Sequence, residues 1–347
     1  MSYYSGDKLL SLKDLNGNTP EIFLCTTNRS GGKTTWFGKY CVNKFLKNFG
    51  KFGLIYRYNY ELDDIADKFF KDLSGLFFPE YTMISERRAS GIYHELFLCK
   101  GEEKYSCGYG ITLNSADQIK KNSHQFSDIN RMIFDEFQSE TNHYCNDEIK
   151  KFISLHTSIA RGQGKQNRYV PVYMLSNAVS LINPYYTALG ISARLTKQTK
   201  FLRGNGWVLE QGYVESASQA QKSSSFNKAF SDNEYFAYNT ENVYLNDNEN
   251  FIEKINGRSR YLGTLIYKNN EYALRDYPDL GIIYVSTNVD KTYKIKLSVT
   301  INDHDINYVM LKSYSMFINN MRYFFNKGCV RFQNLNCKEC FLTAISF

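Results

Sequence analysis

Two tryptophans and five prolines are all that this 347-residue chain holds of those residue types. No stretch approaches the roughly 18 consecutive apolar residues that read as a bilayer span, which excludes a transmembrane helix. So little proline, beside 22 glycines, excludes collagen-like and proline-rich linker architectures. Residues 1–15 lack a basic segment followed by a long apolar one, so no signal peptide is expected. The eight cysteines (25, 41, 99, 107, 145, 329, 337 and 340) are scattered, and free thiols in a reducing compartment are expected. Cys337 and Cys340 form a lone C-x-x-C with no second ligand pair after it, so packing is favoured over zinc.

Acid is missing from one long window. Residues 149–209 contain no Asp or Glu and nine bases: Lys150, Lys151, Arg161, Lys165, Arg168, Arg194, Lys197, Lys200 and Arg203. The net charge is +7, and residues 1–200, 201–234 and 235–347 carry +6 (26 basic, 20 acidic), −1 (3 and 4) and +2 (13 and 11). Such a window creates a field that favours nucleotide phosphates or a nucleic-acid backbone. The alternative is that these bases pair with acids elsewhere, such as Asp63, Asp64, Asp67, Glu102 and Glu103.

What is present is ordinary for a folded chain, with 43% hydrophobic and 22% charged residues and a length suited to about two domains. The 28 Tyr and 25 Phe are abundant enough to reflect an A·T-rich coding bias, so each is read first as core or surface filler. No internal repeat is visible.

The first 200 residues alternate strand and helix signals. Residues 21–25 form a short apolar run, followed by TTNRSGGKTT and a segment with Trp36, Phe37, Tyr40, Cys41, Phe45 and Phe49 at helical spacing. A strand is expected at 52–57, and then a helix with Leu62, Ile65, Phe69 and Leu73 on one face. Strands and turns follow over 84–113. A buried strand ends in Asp135-Glu136, a helix covers 149–161, and a strand over 169–175 ends in Ser176-Asn177. This order predicts an α/β fold, a mostly parallel sheet flanked by helices. Residues 216–234 are Ser/Gln-rich and read as a linker. Beyond 235, strands at 261–267, 280–285 and 293–299 and a helix over 307–326 predict a smaller α+β domain.

One string carries chemistry. GxxxxGK[ST] lets backbone N–H groups approach phosphates, its Lys reaches the β/γ-phosphates, and its Ser/Thr ligates Mg²⁺. Here it runs Thr27, Asn28, Arg29, Ser30, Gly31, Gly32, Lys33, Thr34, with Thr35 next and Thr27 where the first Gly belongs. A second strand must deliver a carboxylate to the metal, and Asp135 does so, followed by Glu136 to polarise the attacking water. Asn177, at the end of the next strand, either senses the γ-phosphate or is a turn residue. Arg29 either touches phosphate or faces solvent. The glycine-punctuated ARGQGKQNR, holding Arg161, Lys165 and Arg168, either presents an arginine finger to a neighbouring subunit or is a basic surface loop.

The combination of TNRSGGKTT, Ile55-Tyr-Arg57, Phe134-Asp-Glu-Phe137 and Leu175-Ser-Asn-Ala-Val179 followed by Asn183-Pro-Tyr185 resembles the DNA-packaging ATPases of small short-tailed phages with protein-primed replication. The resemblance is clearest over 20–190. It implies a P-loop ATPase of the additional-strand, catalytic-glutamate type, assembled as a ring, usually of five subunits, at the portal vertex of an empty capsid. It implies ATP and Mg²⁺ as cofactors: Lys33 and Thr34 on phosphate and metal, Asp135 supporting the metal, Glu136 catalytic. The trans-acting finger would be Arg161, or Arg168 because the basic loop is longer than the family's. Double-stranded DNA, the portal and, in some members, a structural RNA would be partners, and a membrane would not. The protein would act in the host cytoplasm, transiently on the assembling capsid, and be absent from the mature virion.

The implied domains are a P-loop ATPase domain over 1–200, a linker over 201–234, and a ribonuclease-H-like domain over 235–347 without nuclease activity. In that last domain Asp247, Asp276, Asp303 and Asp305 form no compelling metal cluster by spacing. Two rival readings are a nucleotide-gated nucleic-acid-binding scaffold with little turnover and a helicase-like ring translocase. Lys120, Lys121, Arg194, Lys197 and Lys200 are pooled candidates for DNA contact.

Overall fold

The computed structural model describes residues 3–141, 143–162, 164–181, 183–191, 194–195, 199–229, 240 and 251–345. The chain divides into two compact units: residues 1–189 with 195–246, and residues 190–194 with 247–347.

The first unit opens with a short helix α1 (Asp7–Ser11). It continues through β1 (Ile22–Thr27), α2 (Lys33–Asn48), β2 (Lys51–Tyr56), α3 (Ile65–Phe77) and the strands β3 (Thr82–Arg88), β4 (Tyr93–Lys100) and β5 (Glu103–Thr112). Then come α4 (Ala116–Lys121), β6 (Ile129–Asp135), α5 (Glu148–Ala160), β7 (Val172–Asn177), α6 (Pro184–Ala188), β8 (Phe201–Arg203), β9 (Trp207–Gln211), α7 (Glu215–Ser223) and α8 (Ser225–Ala229). The nine strands form one sheet in the order β3-β4-β5-β2-β6-β7-β1-β9-β8. The run β5-β2-β6-β7-β1-β9 is parallel throughout, and the two edges are antiparallel additions.

Both faces of the parallel run are buried, which is why its strands read as continuous apolar runs instead of alternating ones. On one face Phe37, Cys41 and Phe45 of α2 and Phe70 and Leu73 of α3 pack against Phe23, Phe52, Leu54, Ile133 and Tyr173. On the other, Phe134 meets Phe152 of α5 and Tyr185 of α6 at ring separations of 5.9 and 5.6 Å. The buried face of α3 is Ile65, Ala66, Phe70 and Leu73, not the expected set with Phe69. Leu62 is buried but belongs to the 3₁₀ turn before the helix. Phe49 is not on the buried face of α2: it caps the helix with φ 55° and stays 68% exposed.

The expected linker over 201–234 is corrected at its start. Residues 201–211 form β8 and β9, and β9 extends the parallel sheet beside β1. The physical reason is apolar burial: Trp207, Val208 and Leu209 are inside. Glu215–Ser223 and Ser225–Ala229 are helical, and residues 230–234 lie outside the described residues.

The second unit contains β10 (Arg260–Tyr267), β11 (Asn270–Tyr277), β12 (Ile282–Ser286), β13 (Lys296–Ser298), β14 (Val309–Met310), α9 (Ser315–Asn326), β15 (Val330–Phe332) and α10 (Leu335–Ile345). Its sheet order is β14-β13-β10-β11-β12-β15. β10, β11 and β12 form an antiparallel meander; β13 joins β10 in parallel, β14 joins β13, and β15 flanks β12. An antiparallel meander extended by two parallel strands beside its first strand is the ribonuclease-H-like order that the resemblance implies. The helix expected over 307–326 starts at Ser315. Before it, Asp305 makes an Asx turn onto the Asn307 N–H (3.0 Å), and Met310 pairs with Ser298 as a strand. Cys337 and Cys340 lie in the apolar core with Phe332 and Phe341. Burial pushes the Cys337 thiol up to about 11 and the Cys340 thiol well above its ordinary value, so both are packing residues.

Candidate nucleotide site

β1 delivers the chain to a turn that only part of the expected string forms. Thr27 is the last residue of β1, paired with Asn177 of β7 and fully buried. A β-branched residue suits that position, so the glycine expected there is unnecessary. The turn itself is residues 28–32. Ser30 has φ 60° and Gly32 φ 88°, and Gly32 is the residue before α2, where a left-handed conformation favours glycine. At Gly31 a Cβ would lie 3.1 Å from Thr27 Oγ1 and 3.2 Å from the Asn28 carbonyl oxygen, so a side chain there would crowd the turn. The free N–H groups of the first turn of the 16-residue α2 then face the cleft, with the positive end of the helix dipole behind them.

Three neighbouring strands bring the other groups to the same rim. β7 lies between β1 and β6, so Asn177 sits between the turn and the acids. Lys33 Nζ donates to Asn177 Oδ1 at 2.7 Å, and Thr34 Oγ1 donates to Asp135 Oδ1 at 3.3 Å. Burial pushes the Lys33 ammonium down and the Asp135 carboxyl up, while each opposes the other's shift by its charge. A hydroxyl and a carboxylate converging in this way supply the hard oxygen donors that Mg²⁺ takes, so the donor set fits that ion. Glu136 follows with φ 54°, its N–H on Asp135 Oδ1 at 3.1 Å. Burial and the neighbouring Asp135, Glu140 and Glu61 push its carboxyl up, and Arg29 opposes them. Arg29 therefore belongs to the site's field. It lines, with Glu61, Glu136, Glu140, His143 and Asn177, a concavity of about 410 Å³.

Two members of the expected set are placed differently. The Asn28 side chain is 1% exposed and fully engaged: its Nδ2 donates to the Val214 carbonyl (3.1 Å) and its Oδ1 accepts from the Val214 N–H (2.9 Å). It fixes the turn and does not face the cleft. Arg168 is buried, donating to the carbonyls of Ile129 (3.1 Å) and Ile159 (2.8 Å), which removes it as an alternative finger. Arg161 stays exposed at the end of α5, before a tight Gly162–Lys165 bridge. Gly162 packs on Ser127, just before β6, so Arg161 is at the opposite rim of the sheet from Glu136. The seven residues of β6 separate them by roughly 20 Å.

In the sequence Arg57 stands in a motif without an evident role, and nothing local marks Glu148. Arg57, just past β2, donates Nε to Glu148 Oε1 (3.0 Å), Nη1 to the Glu136 carbonyl (2.6 Å) and Nη2 to the Phe137 carbonyl. Tyr185 donates its hydroxyl to Glu148 Oε1 at 2.8 Å, and the Cys145 N–H donates to Oε2 at 2.7 Å. This buried cluster grips the two carbonyls around the left-handed Glu136 and so positions its carboxylate. Arg57→Met is expected to lower unfolding free energy by about 3–5 kcal/mol, because Glu148 is left charged without its partner. The double variant Arg57→Met/Glu148→Leu is expected to regain much of that stability in denaturant titrations and still turn over slowly. Full turnover in the double variant would show that the clamp has no positioning role.

No metal-binding cluster of three or more His, Cys, Asp or Glu occurs among the described residues. Asp276 is paired with Arg260 at 2.6 Å, Asp303 accepts from Thr300 Oγ1 at 2.5 Å, and Asp247 lies outside the described residues. Asp63, one acid offered as a partner for the basic window, is paired with Arg87 instead. No described helix is long and apolar enough to cross a membrane.

Residues 2–344 match the family described as podovirus DNA encapsidation protein (Gp16). The DNA packaging protein of Bacillus phage phi29 is 24% identical over 312 residues, covering 88% of this chain and 87% of the relative. That of Bacillus phage B103 is 24% identical over 308 residues, covering 88% of each. Among solved structures, a chain of the bacteriophage phi29 viral genome packaging motor assembly superposes with a TM-score of 0.64 at 21% identity, covering 99% of both chains. A chain of the phi28 gp11 DNA packaging motor gives 0.66 at 16% identity, covering 99% of this chain and 98% of that one. The structural likenesses establish the fold.

Proposed function

The chain belongs to the podovirus DNA encapsidation protein (Gp16) family, and from that membership and the geometry of the rim we propose that it is an ATP-hydrolysing motor that moves viral double-stranded DNA into a preformed capsid. The observation that carries this is the convergence on one rim of the loop lysine, its Asn177 partner 2.7 Å away, and the Thr34–Asp135 pair. Phosphate-binding, metal-supporting and water-activating groups belong together only if one triphosphate passes among them.

In the mechanism this arrangement supports, backbone N–H groups of Gly31–Thr34 and the Lys33 ammonium hold the phosphates. Thr35 lies in the first turn of α2, beside them. Asn177 fixes the ammonium, and Glu136 takes a proton from the attacking water. Thr34 and Asp135 would hold Mg²⁺, which when bound neutralises charge developing on the phosphate oxygens. Arg161 has no reach to its own Glu136 and acts on a neighbouring subunit, which makes a ring, of five subunits by the family resemblance, a requirement of turnover. The ring would sit on the portal of the assembling capsid in the host cytoplasm, with a structural RNA as a further partner in some members. The C-terminal unit would be a domain without nuclease activity, beginning near residue 247.

DNA of any sequence must be gripped, so the contacts go to phosphates, with Lys120, Lys121, Arg194 and Lys200 as candidates; Lys197 lies outside the described residues. The test is ATP turnover by the assembled chain with duplex DNA across a salt series. The expected result is DNA-dependent turnover that collapses between about 50 and 200 mM salt as counterion release weakens binding, with no strand separation on a gapped duplex. Turnover indifferent to DNA, or unwinding of the gapped strand, contradicts it.

A further inference from the structure

We propose that the cavity under the C-terminal end of α2 is a second anion site, which takes a phosphate group on Arg131 and Lys44. It is separate from the nucleotide rim, because α2 rises roughly 16 Å between Lys33, at its start, and Lys44.

The observation that carries it is a buried cation without a counter-charge. Arg131, on β6, is 9% exposed. Its Nη1 donates to the Gly50 carbonyl at 3.3 Å, and no carboxylate pairs with it among the described residues. An unpaired charge is costly to take out of water, so buried charges are as a rule paired. Lys44 is half-buried and has no ion-pair partner among the described residues either; its ammonium lies 5.4 Å over the Tyr40 ring. The two cations line a cavity of about 250 Å³ with Asn48, Asn130, Tyr40 and Tyr169, and no Asp or Glu lines it. The C-terminal end of α2 supplies roughly half a negative charge, against two positive ones.

The backbone of β6 is shaped to the same end. Lys51 of β2 pairs with Ile129 and Phe52 with Arg131, so Asn130 is an extra residue in β6. Consecutive side chains of a regular strand point to opposite faces. A bulge re-aims them, and here Asn130 and Arg131 line one cavity. Donors therefore come from two elements, Asn130 and Arg131 on β6 and Lys44 and Asn48 on α2. A guanidinium, an ammonium and two amides arranged in this way suit the tetrahedral oxygens of a phosphate better than the planar pair of a carboxylate. A nucleic-acid backbone and free phosphate both present that group.

The test follows the full chain with a non-hydrolysable ATP analogue and Mg²⁺ at saturation, so that the turn at Lys33 is filled. Inorganic phosphate is titrated against sodium chloride of equal ionic strength. Phosphate is expected to raise the wild-type melting temperature beyond the effect of chloride, as a ligand of the folded state does. In calorimetry Lys44→Met is expected to bind phosphate roughly 10- to 150-fold more weakly, the loss of one charge-assisted hydrogen bond, and Arg131→Met to show no phosphate response. Lys44 is half-buried on a helix, so its variant keeps the test decisive if Arg131→Met does not fold. A duplex-DNA arm separates the two sources. Weaker DNA binding by Lys44→Met, with a shallower salt dependence, assigns the site to the backbone; unchanged DNA binding with the phosphate response reduced assigns it to free phosphate. The proposal is overturned if phosphate and chloride shift wild type equally, if Lys44→Met responds to phosphate as wild type does, or if Lys44 and Arg131 hold oligoglutamate and not phosphate.

Discussion

Arg161→Ala chains are expected to bind ATP normally and to lose roughly 10³–10⁵-fold in turnover, the size of effect that a guanidinium on a phosphoryl-transfer transition state supplies. The argument is one of position. Arg161 ends α5 on the rim where β6 begins, and Glu136 lies past the other end of that strand. The basic turn after it is held in shape by the Gly162–Lys165 bridge and by Arg168, whose buried guanidinium ties it to Ile129 and Ile159. The side chain is thus presented to solvent from a fixed base, on the rim away from its own Glu136. Mixing Arg161→Ala with Glu136→Gln subunits is expected to restore part of the lost turnover, since some interfaces then pair an intact finger with an intact acid. Wild-type turnover by Arg161→Ala alone, or mixtures no better than either variant, speaks against the assignment.

Glu136→Gln is expected to keep nucleotide affinity and to reduce turnover roughly 10²–10⁴-fold, the usual yield of a positioned general base. The amide keeps the shape and hydrogen-bonds where the carboxylate did, but it takes no proton from water. The pH profile gives a second signature. Burial and three nearby carboxylates raise the Glu136 carboxyl, so turnover in wild type falls as pH drops through a value above the ordinary 4.3 or so of glutamate. The variant lacks that limb. The stability sign runs the other way from a paired acid: a carboxyl raised in the folded state favours the fold below its unfolded value, and that contribution is lost as pH rises. At neutral pH the Gln variant is therefore expected to melt no lower than wild type, and somewhat higher. A lowered melting temperature with unchanged turnover identifies Glu136 as a structural residue.

The parts legible in the sequence were those whose physics is local. A glycine turn between an apolar strand and an amphipathic helix, and an acid at the end of a buried strand, are each written in contiguous residues. Asn177 was found for the same reason, although its partner Lys33 is 144 residues away. The missing loop glycine was less of a departure than its spacing implied, because Thr27 completes β1 before the turn starts.

What sequence reading missed was set by distant neighbours. Arg57 and Glu148 are 91 residues apart, and nothing local to either says that they meet under the Glu136 carbonyl. Residues 201–211 look like the start of a polar linker until β1 offers them an edge to pair with. Arg161 and Arg168 looked equivalent in one basic loop; burial of the second separates them. Tyr3 and Tyr4 read as filler in a tyrosine-rich chain, and only the Tyr4–Glu210 and Tyr4–Gly31 bonds, to partners far along the chain, give them a position.

The most direct measurement is a crystal or cryo-EM structure of the assembled chain with a non-hydrolysable ATP analogue and magnesium. The terminal phosphate is expected within hydrogen-bonding distance of Lys33 Nζ, the metal beside Thr34 and Asp135, and a water between Glu136 and the terminal phosphorus. An analogue bound anywhere else, or a terminal phosphate turned away from residues 135–136, contradicts the motor at its root.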